Sequence, residues 1–130
     1  MSSIFSKIVS GEIPCYKIYE DDKCLAFLDI NPNSHGHTLC ILKREEDYIF
    51  DLKHDEYVSL MNFSKKIAKA LEKSVSCERI AMSVVGLEVP HVHVHLIPIN
   101  KMDDLNFSNN LNLEKHTFEE VCNKIKSNLE

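Results

Sequence analysis

Basic residues are scarce and scattered in this sequence. Its 15 Lys and Arg are outnumbered by 20 Asp and Glu, so the formal net charge is −5, and no basic run is longer than Lys43-Arg44 or Lys65-Lys66. A protein that binds a phosphate backbone needs clustered positive charge. The sequence therefore argues against a nucleic-acid-binding protein.

Long hydrophobic runs and paired cysteines are also absent. No apolar stretch approaches the roughly 18 residues that cross a bilayer, and the sequence shows no charged-then-apolar leader with a cleavage site. The cysteines are odd in number and include no C-x-x-C pair, a pattern typical of reduced, packed thiols. We therefore expect a cytoplasmic protein without membrane association. The five cysteines are Cys15, Cys24, Cys40, Cys77 and Cys122.

No repeat, low-complexity tract or flexible linker interrupts the 130 residues, which is the size of one globular domain. We therefore expect a single domain over residues 1–130.

The 3.6-residue apolar period predicts three helices. They are a short helix with Ile4, Phe5, Ile8 and Val9 facing inward and Gly11 ending it, a long helix from Asp55 to about Ser76, and a C-terminal helix over about 114–128 behind a Thr117/Glu120 capping box.

The remaining apolar segments predict strands. "YKIYEDDKCLAFLDI" has a turn signal at Asp21-Asp22-Lys23 and predicts a hairpin, and the unbroken apolar character of "TLCILK" indicates a buried central strand. "RIAMSVV" and "HVHVHLIPI" predict two more strands. Because helices are inserted between strands rather than alternating with them, the sequence favours an α+β fold with an antiparallel sheet.

The stretch "HVHVHLIP" concentrates three of the seven histidines of the chain. In a strand, alternate side chains share one face, so His91, His93 and His95 point to one side. Val92 and Val94 point to the other side, where they can pack on the core. A merely solvated face is improbable, since Lys, Glu, Thr and Ser would be expected there.

Two chemical interpretations of the histidines remain open on the residues alone. One is a metal site, but the outer two histidines are about 13 Å apart along a strand. At most two of them can therefore share an ion, with a third ligand such as His37. The other is nucleophilic attack on phosphorus by His93, whose neighbouring imidazoles would bind the phosphoryl oxygens.

The residues resemble a known family. "HVHVHLI" matches the H-φ-H-φ-H-φ-φ signature of the histidine triad (HIT) superfamily, where φ is apolar, and "IFSKIVSGEIP" with "EDDKCLAFLDINPNSHGHTL" is similar to the start of its Hint-like branch. The similarity runs from about Ser3 to Pro98. It implies a HIT-like α+β fold in which a homodimer joins two sheets.

The resemblance also implies an activity. The middle histidine attacks the α-phosphorus of a purine nucleoside 5′-phosphoramidate, expected to be that of adenosine, or of a related AMP derivative. The nucleotidyl-histidine is then hydrolysed. No cofactor is expected, because imidazoles and backbone donors supply the electrostatic stabilisation.

Matched position by position, the resemblance makes His93 the nucleophile, with its second ring nitrogen bonded to a backbone carbonyl near His91. His95 and His37 would line the phosphate pocket. Asp29 would accept hydrogen bonds from the ribose. The full set expected to bind the nucleotide is Ile4, Phe5, Ile8, Phe27, Leu28, Asp29, Ile30, Leu39, Gly86, Glu88 and Val89.

Two departures from the family pattern affect the expectations. Many bacterial Hint-like members hold a structural zinc through C-x-x-C and a later histidine, but Ser3, Ser6 and Glu45 stand at those places, so we expect no zinc. Glu88 replaces a serine near the leaving group, where it would repel a polyphosphate, assist a leaving amine or lie inert on the rim. The phosphate loop that contains Glu88 reads "IAMSVVGLEVP" and lacks the asparagine and extra glycines usual in the family. This departure leaves a nucleotide-binding regulatory module as one alternative, and the histidines leave a metal-binding protein as another.

Overall fold

The computed structural model describes residues 2–130 and gives them three α-helices and five β-strands. The helices are α1 (Ile4–Ser10), α2 (His54–Ser74) and α3 (Lys115–Ser127). The strands are β1 (Lys17–Glu20), β2 (Cys24–Leu28), β3 (Thr38–Leu42), β4 (Arg79–Ser83) and β5 (His93–Ile99). Within residues 2–130, no helix combines the length and the apolar character that a bilayer span requires.

The strands form one sheet in the order β1-β2-β3-β5-β4, and every neighbouring pair is antiparallel. This confirms the α+β prediction. The hairpin of β1 and β2 turns where expected, because Asp21 Oδ1 accepts hydrogen bonds from the backbone N–H groups of Lys23 and Cys24. β3 is central and fully buried, as its unbroken apolar run predicts.

The two faces of the sheet have different functions in packing. On one face, α2 and α3 cover a core that includes Leu60, Ile67, Val94 and Leu96. On the other face, a smaller cluster includes Phe27 and Leu39 and is covered in part by Phe5 of α1. The first face supplies most of the buried apolar area, and the second leaves room beside α1 for a cavity.

The first histidine of the triad lies outside the regular strand. β5 begins at His93. The backbone N–H of Val92, just before it, donates to Glu46 O at 2.7 Å and not to a neighbouring strand. Glu46 lies in the segment after β3. The expectation that all three histidines alternate along one strand therefore holds for His93 and His95 only. β4 is also shorter than expected and ends at Ser83.

The C-terminal helix does not begin with the predicted capping box. Its N-cap is Glu114, which makes no side-chain cap hydrogen bond, and Thr117 lies in the first turn. The prediction of a Thr117/Glu120 box is therefore wrong. The N-cap lies three residues before Thr117, because the first turn of the helix precedes its first buried residue, Phe118.

A tight turn at Gly36 immediately precedes β3. Gly36 has a φ of +90°, and a Cβ there would lie 2.9 Å from Val75 Cγ2 and 3.0 Å from Leu71 Cδ1. The backbone thus packs directly on the end of α2, at a distance that excludes any side chain. His37 follows at once and is buried at the start of the strand.

Candidate active site

A cavity of about 530 Å³ opens on the α1 side of the sheet. His93 and His95 line it, and all eleven residues expected to contact a nucleotide line it too. Ile4 and Ile30 are 50% and 66% exposed, so they form its rim, and the expectation that Ile4 faces inward is wrong. The structure thus brings the predicted set together, while its nucleotide contacts stay a prediction.

His93 is held in one tautomer by the backbone. Its Nδ1 lies 2.7 Å from His91 O. A carbonyl oxygen only accepts hydrogen bonds, so Nδ1 carries the hydrogen and Nε2 of the neutral ring keeps its lone pair. Phe5 packs edge-on against the ring, with centroids 4.9 Å apart. His93 therefore offers a fixed, unprotonated nitrogen on the side of its ring away from His91.

His95 is fixed in the opposite sense, through His37. The backbone N–H of Asn33 donates to His37 Nδ1 at 2.9 Å, so the hydrogen of neutral His37 is on Nε2. His37 Nε2 lies 2.9 Å from His95 Nδ1 and donates to it, which leaves the hydrogen of neutral His95 on its own Nε2. His93 and His95 thus present a lone pair and an N–H, respectively.

Burial keeps the His37–His95 pair neutral. Burial first, and the neighbouring histidines second, lower the pKa of each ring to about 4, against a smaller opposing effect of Asp29 on His95. His37 is only 1% exposed and lies behind His95 rather than on the cavity wall. The expectation that His37 lines the phosphate pocket is therefore corrected: it contacts His95, and His95 faces the cavity.

His91 also lies behind the cavity wall and is fully buried. Its Nε2–H donates to Leu42 O at 2.7 Å, and its Nδ1 accepts from Ser3 Oγ at 2.7 Å. Burial lowers the pKa of His91, against smaller opposing effects of Leu42 O and Glu45. His91 reaches the site through its backbone carbonyl, which accepts from His93.

Asp29 lies at the cavity mouth, just after β2, with 18% of its side chain exposed. Its Oδ1 accepts from the backbone N–H of Asn31 at 2.8 Å, and its Oδ2 lies 3.6 Å from His37 Nε2. Free lone pairs on both oxygens remain for a ligand. The position suits the predicted contact with ribose hydroxyls.

The sequence model of the HIT domain family matches residues 10–102 of the chain. The chain belongs to the HIT family. It is 38% identical, over 97% of both chains, to an uncharacterized HIT-like protein of Borreliella burgdorferi, and 38% identical to an adenosine 5′-monophosphoramidase of Schizosaccharomyces pombe over 75% of this chain and 74% of that one.

Solved structures of HIT proteins share the fold. A Hit-like protein involved in cell-cycle regulation from Bartonella henselae superposes with a TM-score of 0.86 at 30% identity, over 98% of this chain and 97% of that one. A zinc-bound histidine triad family protein from Mycobacterium smegmatis superposes at 0.83 and 28% identity, over 98% and 93%. The predicted HIT-like fold is confirmed.

The residues at the zinc positions of the family do not fit a zinc ion in this HIT protein. Ser3, Ser6 and Glu45 do meet beside His91, but they offer two hydroxyls in place of two thiolates. The His91 Nδ1 lone pair already accepts a hydrogen bond from Ser3. The expectation of no structural zinc stays a prediction, and the donor set supports it.

A second group has metal-ligand residue types. Ligand atoms of Asp29, His37 and His95 lie within 4.8 Å of one another. However, neither facing nitrogen has a free lone pair: His37 Nε2 carries a hydrogen, because Nδ1 of that ring accepts from Asn33, and His95 Nδ1 accepts this hydrogen from His37. A metal would have to displace the His37 Nε2 hydrogen, so the geometry disfavours the metal-binding alternative.

Sequence reasoning missed part of the cavity wall. Phe107 lies edge-on to His95, with centroids 4.8 Å apart, and Asn110 and Cys15 also line the cavity. The segment after β5 reaches the site because Leu111 N–H donates to Pro32 O at 2.8 Å. No periodicity marks this segment, so only its tertiary contacts reveal the role. The exposed His35, His54 and His116 lie outside the cavity lining.

Proposed function

We propose that this HIT protein hydrolyses adenosine 5′-phosphoramidates or related AMP derivatives through a covalent nucleotidyl-His93 intermediate. The observation that carries the proposal is the pair of opposite tautomers at one cavity. His93 presents an Nε2 lone pair, and His95 presents an Nε2–H. A nucleophile and a hydrogen-bond donor side by side are what phosphoryl substitution requires.

In the proposed first step, the His93 Nε2 lone pair forms a bond to the α-phosphorus and the phosphorus–nitrogen bond breaks. The leaving nitrogen takes a proton from water and departs as an amine, and the His95 N–H, next to the His93 ring, donates a hydrogen bond to a phosphoryl oxygen. The positive charge that develops on His93 is stabilised by the His91 carbonyl at Nδ1. Water then cleaves the phosphorus–His93 bond and releases the nucleotide.

The shape of the cavity supports a nucleotide substrate. Its volume of about 530 Å³ is within the range of small-molecule sites. Apolar side chains from α1, β2 and β3 form a floor that suits a flat base, and Asp29 has carboxylate lone pairs free to accept hydrogen bonds from ribose hydroxyls. The apolar residues of this floor are Phe5, Ile8, Phe27, Leu28 and Leu39.

The charge of the lining favours an amine over a polyphosphate as leaving group. Among the described residues that line the cavity, the charged side chains are Asp29 and Glu88, and none is Lys or Arg. A polyphosphate carries several negative charges that would meet no positive partner. An amine gains positive charge as it departs, and Glu88 on the rim can attract it.

The test is a substrate panel with wild type and His93→Gly, read by phosphorus NMR, with acid-labile histidine adducts trapped and located by mass spectrometry. We expect wild type to release AMP from an adenosine phosphoramidate and to form an adduct on His93. His93→Gly should lose about three or more orders of magnitude in turnover, since His95 presents an N–H in place of a lone pair and burial raises the pKa of the Cys15 thiol on the lining.

The exposed His116, 66% of whose side chain is solvent accessible, supplies a matched control. His116→Gly should keep wild-type turnover. Retained turnover in His93→Gly would rule out the covalent mechanism. Tight AMP binding by wild type without turnover of phosphoramidates, adenylates or dinucleoside polyphosphates would instead favour the regulatory module.

A further inference from the structure

A hydrogen-bonded cluster behind the cavity joins three separate parts of the chain. It contains Ser3 and Ser6 of the N-terminal segment, Glu45 after β3, and His91 before β5. Glu45 Oε1 lies 2.6 Å from Ser3 N and 2.7 Å from Ser6 Oγ. Ser3 Oγ lies 2.7 Å from His91 Nδ1. We call these four residues the Glu45 cluster.

The chemistry of the partners assigns each hydrogen in the Glu45 cluster. A carboxylate only accepts, so Ser3 N–H and the Ser6 hydroxyl both donate to Glu45. Ser3 Oγ accepts from the backbone N–H of Ser6 at 3.0 Å, and its own hydrogen then goes to His91 Nδ1. The hydrogen bond from Ser3 N–H, which has the largest effect, and the one from the Ser6 hydroxyl lower the pKa of Glu45 to about 2, so Glu45 stays a carboxylate.

His91 is thereby held at both ends of its ring. Ser3 occupies Nδ1 and Leu42 O occupies Nε2, each at 2.7 Å. The same residue offers its backbone carbonyl to His93 Nδ1–H. A ring fixed in orientation and tautomer fixes the residue whose carbonyl sets the tautomer of the nucleophile.

The Glu45 cluster also anchors α1. Ser3 is the N-cap of this helix, and Phe5 in its first turn packs against His93 with centroids 4.9 Å apart. Loss of the Glu45 contacts would release Ser3 and the first turn together. Two links therefore run from the cluster to His93, one through the His91 carbonyl and one through Phe5.

We infer that Glu45, together with Ser3 and Ser6, is a positioning element for His93 that acts through His91 and α1. The inference rests on the proposed function for its kinetic consequence but not for its structural one. Glu45 acts as a hydrogen-bond acceptor through one oxygen, because the hydrogen bonds from Ser3 and Ser6 both end on Oε1. An amide oxygen can replace that oxygen, so Glu45→Gln should preserve the cluster.

The experiment compares Glu45→Ala, Glu45→Gln, Ser3→Ala and the control Glu46→Ala. We expect Glu45→Ala and Ser3→Ala to lower kcat on an adenosine phosphoramidate by about 10-fold or more while KM changes by less than about threefold, because the geometry of attack and not substrate binding is affected. Glu45→Gln should remain within about threefold of wild type. Glu46, whose carboxylate contacts Arg44 and not His91, should be replaceable without effect.

A second measurement reads His91 directly. Nitrogen-15 NMR with long-range proton correlations distinguishes protonated from unprotonated ring nitrogens and reports whether an unprotonated nitrogen accepts a hydrogen bond. Wild type, Glu45→Gln and Glu46→Ala should show His91 with hydrogen on Nε2 and with Nδ1 accepting a hydrogen bond. In Glu45→Ala the Nδ1 resonance should move toward that of a nitrogen without a donor, because Ser3 is released while Leu42 O still holds the Nε2–H. A change confined to folding would lower the melting temperature without altering this signature in the folded fraction.

Wild-type kcat together with the wild-type His91 signature in folded Glu45→Ala and Ser3→Ala would overturn the inference. If Glu45→Ala does not fold, Ser6→Ala and Glu45→Gln decide: equal loss of kcat in both would also overturn it, because only the first removes a donor to Glu45. If wild type has no phosphoramidase activity, the proposed function fails, and the NMR signature still tests the positioning of His91.

Discussion

At the scale of single residues, His93 differs from the other three buried imidazoles: it carries its hydrogen on Nδ1, whereas His37, His91 and His95 carry theirs on Nε2. Backbone groups decide the difference: the His91 carbonyl holds a hydrogen on His93 Nδ1, and the Asn33 amide keeps hydrogen off His37 Nδ1. The spacing of "HVHVHLIP" and the family resemblance predicted His93 as nucleophile. Neither predicted the order of His37 behind His95, because that order depends on the loop between β2 and β3.

The neutral His37–His95 pair makes stability depend on pH. Each ring has a pKa near 4 in the folded protein, against 6.5 for an ordinary histidine, so the unfolded chain binds more protons between these values. The contribution of this pair to the free energy of unfolding should therefore be fully present above pH 6.5 and should be lost as pH falls from about 6.5 to about 4, by roughly 3 kcal/mol or more for the two rings together. Urea denaturation at a series of pH values measures this slope.

His37→Gln should reduce that slope by about half, since one of the two titrating rings is gone. His116→Gln, at an exposed position, should leave it unchanged. A slope that is the same in His37→Gln and wild type would contradict burial of a neutral His37.

At the scale of elements, periodicity was sufficient for the helices and most strands. α2, the hairpin and the central β3 were predicted because each buries a regular apolar pattern. The start of β5, the N-cap of α3 and the contact of Phe107 with His95 were not, since each is decided by a partner distant in sequence. The cavity floor was predicted through the resemblance, and its aromatic wall after β5 was not.

The turn at Gly36 should be among the least tolerant positions of the chain. Gly36→Ala should lower the free energy of unfolding by about 2–4 kcal/mol, because left-handed backbone disfavours a Cβ and the new methyl would overlap Val75 and Leu71. Gly11→Ala separates the two effects. Gly11 has a φ of +86° with no atom within 4 Å of the new Cβ, so its loss should be about 1 kcal/mol. Equal losses in chemical denaturation would show that the close packing of Gly36 on α2 contributes nothing.

At the scale of the whole molecule, the two edges of the sheet differ. β1 is covered by α3, and Cys122 Sγ lies 3.3 Å from Lys17 O at that edge. β4 is the other outermost strand, and its Met82 is 49% exposed. An uncovered edge strand offers unpaired backbone groups to another strand. We propose that the homodimer implied by the family resemblance forms through β4.

Gel filtration with light scattering should give twice the mass of one chain. Met82→Glu should weaken dimerisation by about tenfold or more, since a charge placed within a buried contact is costly. Met102→Glu is the matched control, because Met102 is 78% exposed and outside the sheet. Only monomer in wild type at high concentration would refute the dimer. Equal effects of Met82→Glu and Met102→Glu would refute dimerisation through the β4 edge.

The Asn33–His37–His95 chain of hydrogen bonds has a direction, and that direction determines where protons can travel. Every donor in it points toward the cavity, and it begins at a peptide N–H, which is not an acid that supplies protons. The neutral His95 ring can therefore donate a hydrogen bond to the substrate but has no proton to give away, and none reaches it from behind through His37. In the proposed reaction the proton that the departing amine takes up must come from water in the cavity. The water that cleaves the His93 adduct releases a proton in turn, so the second step returns what the first step consumed.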